Sequence, residues 1–261
     1  MRRCAAMPGT SGRPVVGSLT ASMTDIDLSD LAHAYRLRPM SEAATRRAAG
    51  SARLALDPLL DVGGGTGTHA TTWTDMGRNA VLLDLSSAMV GKAASNSHLQ
   101  VVRAASEHMP FADASFGLAY FHLSIHYGDW HASLSEAVRV VRPGGRVEVW
   151  TFDPSDLART SLGRWFPSVI THDALRFPVV GDLVAHLGPL VSSVRVTTTD
   201  ETIERTARSW VESVRGRFVS TLQLINDSEI EAGITAFRRV FPADDDVYKY
   251  TAPFTTVTCV V

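Results

Sequence analysis

Between residues 59 and 152 short apolar runs alternate with segments whose apolar positions recur at helical spacing. "PLLDV" (58–62), "AVLLDLS" (80–86), "LQVVRAA" (99–105) and "SFGLAYFHLS" (115–124) are runs of strand length. Each is continuous, not alternating, as expected of strands covered on both faces. "THATTWTDM" (68–76), "SSAMVGKAASNSH" (86–98) and "HASLSEAVRVV" (131–141) fall between them and read as helices, the second capped by Ser86 or Ser87. "RPGGRVEVWTFDP" (142–154) is a Pro-Gly-Gly turn into a fifth strand. Strands alternating with helices predict a parallel sheet with helices on both faces.

Outside this block the rhythm differs. Residues 25–56 read as helical, with Asp27 or Ser29 as cap and Pro39 as a break. Residues 155–190 are aromatic and dotted with proline. "SVRVTTTD" (193–200) reads as a sixth strand, residues 202–240 as mainly helical, and "YKYTAPFTTVTCVV" (248–261) as a seventh strand. The run Asp244–Asp246 reads as a solvated turn. Residues 1–24 read as a flexible leader or as a lid that orders over a ligand. The first 22 of these contain three arginines and no acid, and lack the apolar stretch of a secretory signal. Residues 25–261 then form one domain.

Composition narrows the classes. The chain has 261 residues, 45% hydrophobic and 20% charged, with a net charge of −2. That supports one large core, or one core plus a small cap, and gives no strong field for a nucleic-acid partner. Lys92 and Lys249 are the only lysines, which reads as a coding bias. Cys4 and Cys259 sit at opposite ends and form no CxxC pair. No apolar run is long enough to span a membrane, and the expected location is cytoplasmic.

The chemistry starts at "LLDVGGGTG" (59–67). No lysine follows the glycines, which argues against a nucleoside triphosphate loop. Gly63, Gly65 and Gly67 form GxGxG, not the GxGxxG of nicotinamide sites. "DVGGGTG" resembles the first motif of the Rossmann-like S-adenosylmethionine-dependent methyltransferases. "VLLDLSSAM", "AASEHMPFADASFG" and "LSIHYGDWHASLSEAVRVVRPGGRVEVWTF" resemble later motifs of that family in the right order, and Tyr35 has a family-like position. The close resemblance covers residues 59–152. It implies a doubly wound α/β sheet of seven strands, ordered 3-2-1-4-5-7-6 with the last antiparallel. A mainly helical cap would come from insertions in residues 153–240.

The resemblance also implies S-adenosylmethionine as cofactor. Gly63, Gly65 and Gly67 would allow close backbone approach to its methionine and ribose. Asp61 would hold the ammonium end, or is a buried turn carboxylate. Asp84 would accept the ribose hydroxyls, or is a helix N-terminal acid before Ser86. Leu85 and Met109 would flank the adenine, and Tyr35, Met89, Ser106, Glu107 and His122 complete the expected cofactor set. Two departures stand out. Ala105 occupies the place of an acid that usually meets the adenine, and Gly117 follows Phe116 where the family often has Asp.

The sulfonium methyl is already activated, so alignment can supply much of the rate. A base is needed only for a protic acceptor. His126 and His122, after the fourth strand, are the candidate catalytic groups, with Tyr127 and Asp129 beside them. His126 matches a frequent family histidine; the alternative is that it packs against a loop. The HxxxH spacing lacks the glutamate and third ligand of a zinc site, so no metal is expected. Tyr127, Trp150, Phe152, Trp165, Phe166, Phe177 and Trp210 are candidates for the acceptor pocket, or for plain core. The expected activity is methyl transfer to a small hydrophobic or aromatic metabolite, at O, N or C. The rivals are a cofactor-binding member without methyl transfer and a nicotinamide-dependent oxidoreductase. The expected partner is a small-molecule acceptor, with no nucleic acid or membrane; monomer and homo-oligomer both stay open.

Overall fold

The structure is a computed structural model and describes residues 28–34, 37–38 and 42–261. The leader 1–24, Cys4 and Tyr35 lie outside the described residues. Among the described residues of the stretch 25–56, which reads as helical, are the helices α1 (Leu28–Ala34) and α2 (Glu42–Arg53). The alternating block follows: β1 (Leu59–Val62), α3 (Thr68–Asp75), β2 (Ala80–Asp84), α4 (Ser87–Ala93), β3 (Gln100–Arg103), β4 (Phe116–His122), α5 (Trp130–Val140) and β5 (Val141–Thr151). Ser86 caps α4, its hydroxyl accepting from the Met89 amide. Asp129 caps α5 by accepting from the amides of His131 and Ala132, which occupies this acid away from the expected chemistry.

With β6 (Ser193–Thr206) and β7 (Val247–Val260), the sheet order is β3-β2-β1-β4-β5-β7-β6, as the resemblance implied. β3, β2, β1, β4 and β5 run parallel, and β7 is antiparallel to both β5 and β6. Alternation along the strands fills two cores. Leu60, Val62, Leu83, Phe121 and Val149 face one side, under α5 and α8 (Val180–Leu187). Leu59, Leu82, Leu118 and Tyr120 face the other, with Trp73 of α3 and Ala48 of α2. Each fully buried side chain of the size of Leu82 contributes about 1.5–3 kcal/mol. The Trp73 indole donates to the Ala48 carbonyl at 2.8 Å and ties α2 to the sheet.

β6 extends to Thr206, so the stretch expected to be helical from residue 202 begins as strand. Thr202, Ile203 and Thr206 are β-branched and suit the long pairing with β7. Only Thr255–Val260 of β7 pairs with β5, while the rest of that strand pairs with β6 alone. The projecting hairpin carries a cap of α6 (Ser161–Trp165), α7 (Pro167–Arg176), α9 (Ala207–Arg215) and α10 (Asp227–Val240). The cap has its own core, in which Phe166, Trp210, Phe237 and Tyr248 are fully buried. Asp244 pairs with Arg208 and Arg238, in keeping with a surface turn. No helix among the described residues is long and apolar enough to cross a membrane.

Candidate active site

The glycine loop joins β1 to α3 at the carboxyl edge of the sheet, where Asp84 and His122 also end their strands. Its first glycine is forced by a neighbour. A Cβ on Gly63, whose φ is +65°, would sit 2.6 Å from Ser124 Cβ, while the Ser124 hydroxyl donates to the Val62 carbonyl at 2.6 Å. Gly67, at φ +86°, is also required by packing: a Cβ there would meet the Leu99 side chain at 2.8 Å. The Gly65 amide donates to Asp84 Oδ2 at 2.9 Å, and the Ser86 amide to Asp84 Oδ1 at 2.8 Å. Asp84 is thus both the helix-leading acid and an oriented carboxylate, since each oxygen keeps a further lone pair. Burial pushes its pKa up.

Asp61 is 1% exposed and accepts from the Ala70 amide at 3.3 Å. Burial, with the Asp84 charge adding, pushes its carboxyl up to about 7. It has no basic partner among the described residues, yet it lines a cavity beside the Gly63 and Gly64 backbone. A buried acid without a cation, next to bare backbone, fits an incoming ammonium group. Leu85, 57% exposed beside Asp84, offers an apolar surface for a planar base. These residues fit S-adenosylmethionine.

Other members of the expected cofactor set are turned elsewhere. Met89 packs against Leu31 and Ala32 under α1. Met109 is buried in the sheet core, and its backbone is clamped: its amide donates to Glu136 and its carbonyl accepts from Arg139. The Glu-x-x-Arg pair of the fourth motif is therefore structural. The Ser106 hydroxyl shares a 2.8 Å hydrogen bond with Ser133, and Glu107 accepts from the Asp129 amide at 2.9 Å. Both bind the loop to the start of α5.

The cavity has a volume of about 580 Å³ and runs from the glycine loop into the cap. Of the expected residues, Asp61, Gly63, His122, His126, Tyr127, Phe152 and Phe177 line it. Four aromatic candidates do not. Phe166 and Trp210 fill the cap core, Trp165 packs on it with its indole donating to the Tyr248 hydroxyl, and Trp150 lies beneath the Arg47 guanidinium at 4.6 Å. Sequence reasoning missed Arg47, His69, Asp173, Glu201 and Phe254, all of which line the cavity. Arg47 forms a buried ion pair with Glu201 and lies 4.7 Å over the Phe254 ring. No motif marks that pair, because α2 and β6 are far apart in sequence.

The histidines are held neutral. Arg47 Nη2 donates to His122 Nε2 at 3.2 Å, and the His69 ring lies 4.5 Å from that of His122. Burial, then the charge of Arg47, lowers His69 to about 4; burial, His69 and Arg47 lower His122 well below the usual range. His126 stacks on Phe177 at 4.0 Å and its Nδ1 has no hydrogen-bond partner. Burial, followed by Arg176 and Arg38, lowers it well below the usual range. Such a ring can accept a proton or a hydrogen bond at neutral pH, but does not carry a standing charge. Among the described residues no group of three or more His, Cys, Asp or Glu is placed to hold a metal ion.

A methyltransferase-domain family profile matches residues 60–149. The malonyl-[acyl-carrier protein] O-methyltransferase of Pseudescherichia vulneris is 39% identical over 101 residues, covering 38% of this chain and 40% of that protein. The chain spans about half the length, or less, of the first curated relatives it matches. The demethylmenaquinone methyltransferase of Corynebacterium kroppenstedtii is 30% identical over 173 residues, covering 61% of this chain and 72% of that enzyme. Among solved structures, a putative methyltransferase from an antibiotic biosynthesis pathway of Anabaena variabilis shares the fold. It superposes with a TM-score of 0.67 at 19% identity, covering 83% of this chain and 97% of that one. With the sheet order, the glycine loop tied to Asp84 and a relative matched over most of its length, the chain belongs to the Rossmann-like S-adenosylmethionine-dependent methyltransferases.

Proposed function

We propose that this protein transfers the methyl group of S-adenosylmethionine to a small, hydrophobic or aromatic acceptor held between the sheet and the cap. One observation carries the reading. A single cavity joins Asp61 and the Gly63–Gly64 backbone to an aromatic wall of Phe152, Phe177 and Phe254. The related enzymes are named for two different acceptors, so kinship leaves the acceptor to be read from this chamber.

When bound, the cofactor supplies an activated methyl group. The chain's own residues do the rest. Asp61 pairs with the ammonium end and Asp84 takes the ribose hydroxyls. Leu85 covers one adenine face. His122 backs the methionine end as a neutral ring. The stacked rings of Phe152 and Phe254, 4.9 Å apart, help exclude water and align the acceptor. His126, neutral and 6% exposed, takes a hydrogen bond or proton from a protic acceptor. A net charge of −2 gives no attraction for a nucleic-acid substrate.

The test is calorimetric titration of the full chain with S-adenosylmethionine and S-adenosylhomocysteine, with NAD as control, on wild type and Asp84→Ala. Binding in the micromolar range that the variant loses, followed by S-adenosylhomocysteine release with a panel of acceptors, is expected. Cofactor binding without release for any acceptor would favour a member that does not methylate. Preference for NAD would overturn the proposal.

A further inference from the structure

On α7, Val169, Asp173 and Phe177 follow one another at four-residue spacing, Phe177 being the residue that ends the helix. That spacing places them on one face, and all three line the cavity. Val169 is 1% exposed and both Asp173 and Phe177 are 8% exposed. A carboxylate in the middle of a buried apolar stripe is costly unless something is bound to it.

The protein answers only half of that need. Thr221 donates to Asp173 Oδ1 at 2.5 Å, and the Arg176 guanidinium lies 3.5 Å from the same oxygen. Oδ2 takes no hydrogen bond among the described residues. It is not among the buried unpartnered atoms either, so it meets the open space of the chamber. Both terminal nitrogens of the neighbouring Arg176 are committed, and its unpartnered Nε is enclosed by protein. Arg176 donates to Thr221 and Ser220 at 3.0 Å each, and the Tyr127 hydroxyl donates to Ser220 at 2.8 Å. The next polar group along this wall, His126, stacks on Phe177 and leaves Nδ1 unpartnered. Arg176 offsets the charge of Asp173, and Arg38, whose Nε donates to the Phe218 carbonyl, also lines the chamber; Asp173 presents the acceptor oxygen on this wall.

We propose that Asp173 is a specificity-determining residue whose free Oδ2 binds a hydroxyl group on an otherwise apolar ring acceptor. An acidic acceptor is disfavoured at this position, because its carboxylate would face the Asp173 carboxylate. The inference rests on the chamber being the acceptor site.

The test uses the full chain saturated with S-adenosylhomocysteine and three probes: 2-naphthol, 2-methoxynaphthalene and 2-naphthoate. Near pH 7.5, 2-naphthol binds about tenfold tighter than 2-methoxynaphthalene, since a site that accepts a hydrogen bond rejects the analogue lacking the donor. 2-Naphthoate binds weakest. Asp173→Ala removes the preference for 2-naphthol and leaves the affinity for 2-methoxynaphthalene within about twofold. A merely structural Asp173 would weaken both probes alike.

Should the variant fail to fold, the wild type decides. Burial lifts the Asp173 carboxyl to about 6, against the lowering effects of Thr221 and Arg176. The segment Ser220–Leu224 brings the Ser220 and Thr221 hydroxyls to it, the turn at Ile125–Tyr127 brings the neutral His126 and Tyr127 to the same wall, and the cation of Arg38, which acts on His126, also lines the chamber. The 2-naphthol preference therefore shrinks near pH 5, where the carboxyl is protonated. A preference that is absent, pH-invariant, equal in Asp173→Ala or reversed toward 2-naphthoate overturns the inference, as does failure of every probe to bind. If S-adenosylhomocysteine itself does not bind, the proposed function fails; if it binds and the hydroxyl preference is missing, only the role of Asp173 fails.

Discussion

The Gly65 amide donates to Asp84 Oδ2 at 2.9 Å, so the loop after β1 and the acid that ends β2 are one structural unit. The Ser86 amide holds the other oxygen at 2.8 Å. The carboxylate is therefore pre-oriented, and each oxygen keeps a further lone pair beside the exposed Leu85. Asp84→Asn keeps the shape and removes charge and one acceptor. Its affinity for S-adenosylhomocysteine is expected to fall about tenfold to a hundredfold, as for a lost charged hydrogen bond of about 1.5–3 kcal/mol. Calorimetry on the folded variant measures this. Wild-type affinity would remove Asp84 from the cofactor site.

Asp61 makes cofactor affinity depend on pH. Burial raises its carboxyl to about 7 in the ligand-free protein. Below that pH the group is neutral, and pairing with an ammonium requires it to lose the proton. Affinity for S-adenosylhomocysteine should rise with pH by up to about tenfold per unit below 7 and level off above it. Asp84, also raised, acts in the same direction. Titrations between about pH 5.5 and 7.5, in buffers of different ionisation enthalpy, should show proton release on binding. Asp61→Asn should flatten most of the profile; a flat wild-type profile would place the ammonium elsewhere.

Gly117 answers one departure from the family pattern. A Cβ there would lie 1.9 Å from the Leu56 carbonyl oxygen, while the Gly117 amide donates to the Pro58 carbonyl at 2.9 Å. The obstacle is backbone, so no rotamer relieves it, and an aspartate cannot be accommodated at this position. Gly117→Ala should cost about 1–3 kcal/mol or more by overpacking. Gly91→Ala, in α4 with nothing within 4 Å of the new Cβ, should be neutral or stabilising by up to about 1 kcal/mol. Paired thermal melts of the two variants check the contrast.

The half-sheet was legible because both of its faces are covered. β1, β2 and β4 then appear as unbroken apolar runs such as Leu59–Leu60 and Leu82–Leu83, which resist confusion with surface elements. The hairpin was harder. Residues 201–206 read "ETIERT", whose charges resemble a helix start, and pairing with distant β7 decides their state. Aromatic content marked the cap but not its inward face: Phe177 reached the chamber, while Phe166 and Trp210 filled the cap core. Asp173 did carry a local signal, as an acid between apolar residues at four-residue spacing. Arg47 and Glu201 carried none, because α2 and β6 are far apart in sequence and only the fold brings the two side chains together.

That pair supports a final prediction. Arg47 and Glu201 form an ion pair, with side chains 11% and 7% exposed. Burial lowers the Arg47 pKa, so the guanidinium pays for desolvation and depends on its neighbours. Those include Glu201, the Tyr120 hydroxyl, the His122 acceptor and the rings of Trp150 and Phe254. Removing one partner leaves the other charge buried, at a cost of about 3–5 kcal/mol. Glu201→Gln and Arg47→Met should each lower the melting temperature clearly. The double variant should recover much of the loss, because no buried charge remains and a methionine can pack on Trp150 and Phe254. Denaturant unfolding of the four proteins gives the coupling energy. Additive losses would show that the two side chains act independently and that the aromatic rings, not Glu201, hold the cation.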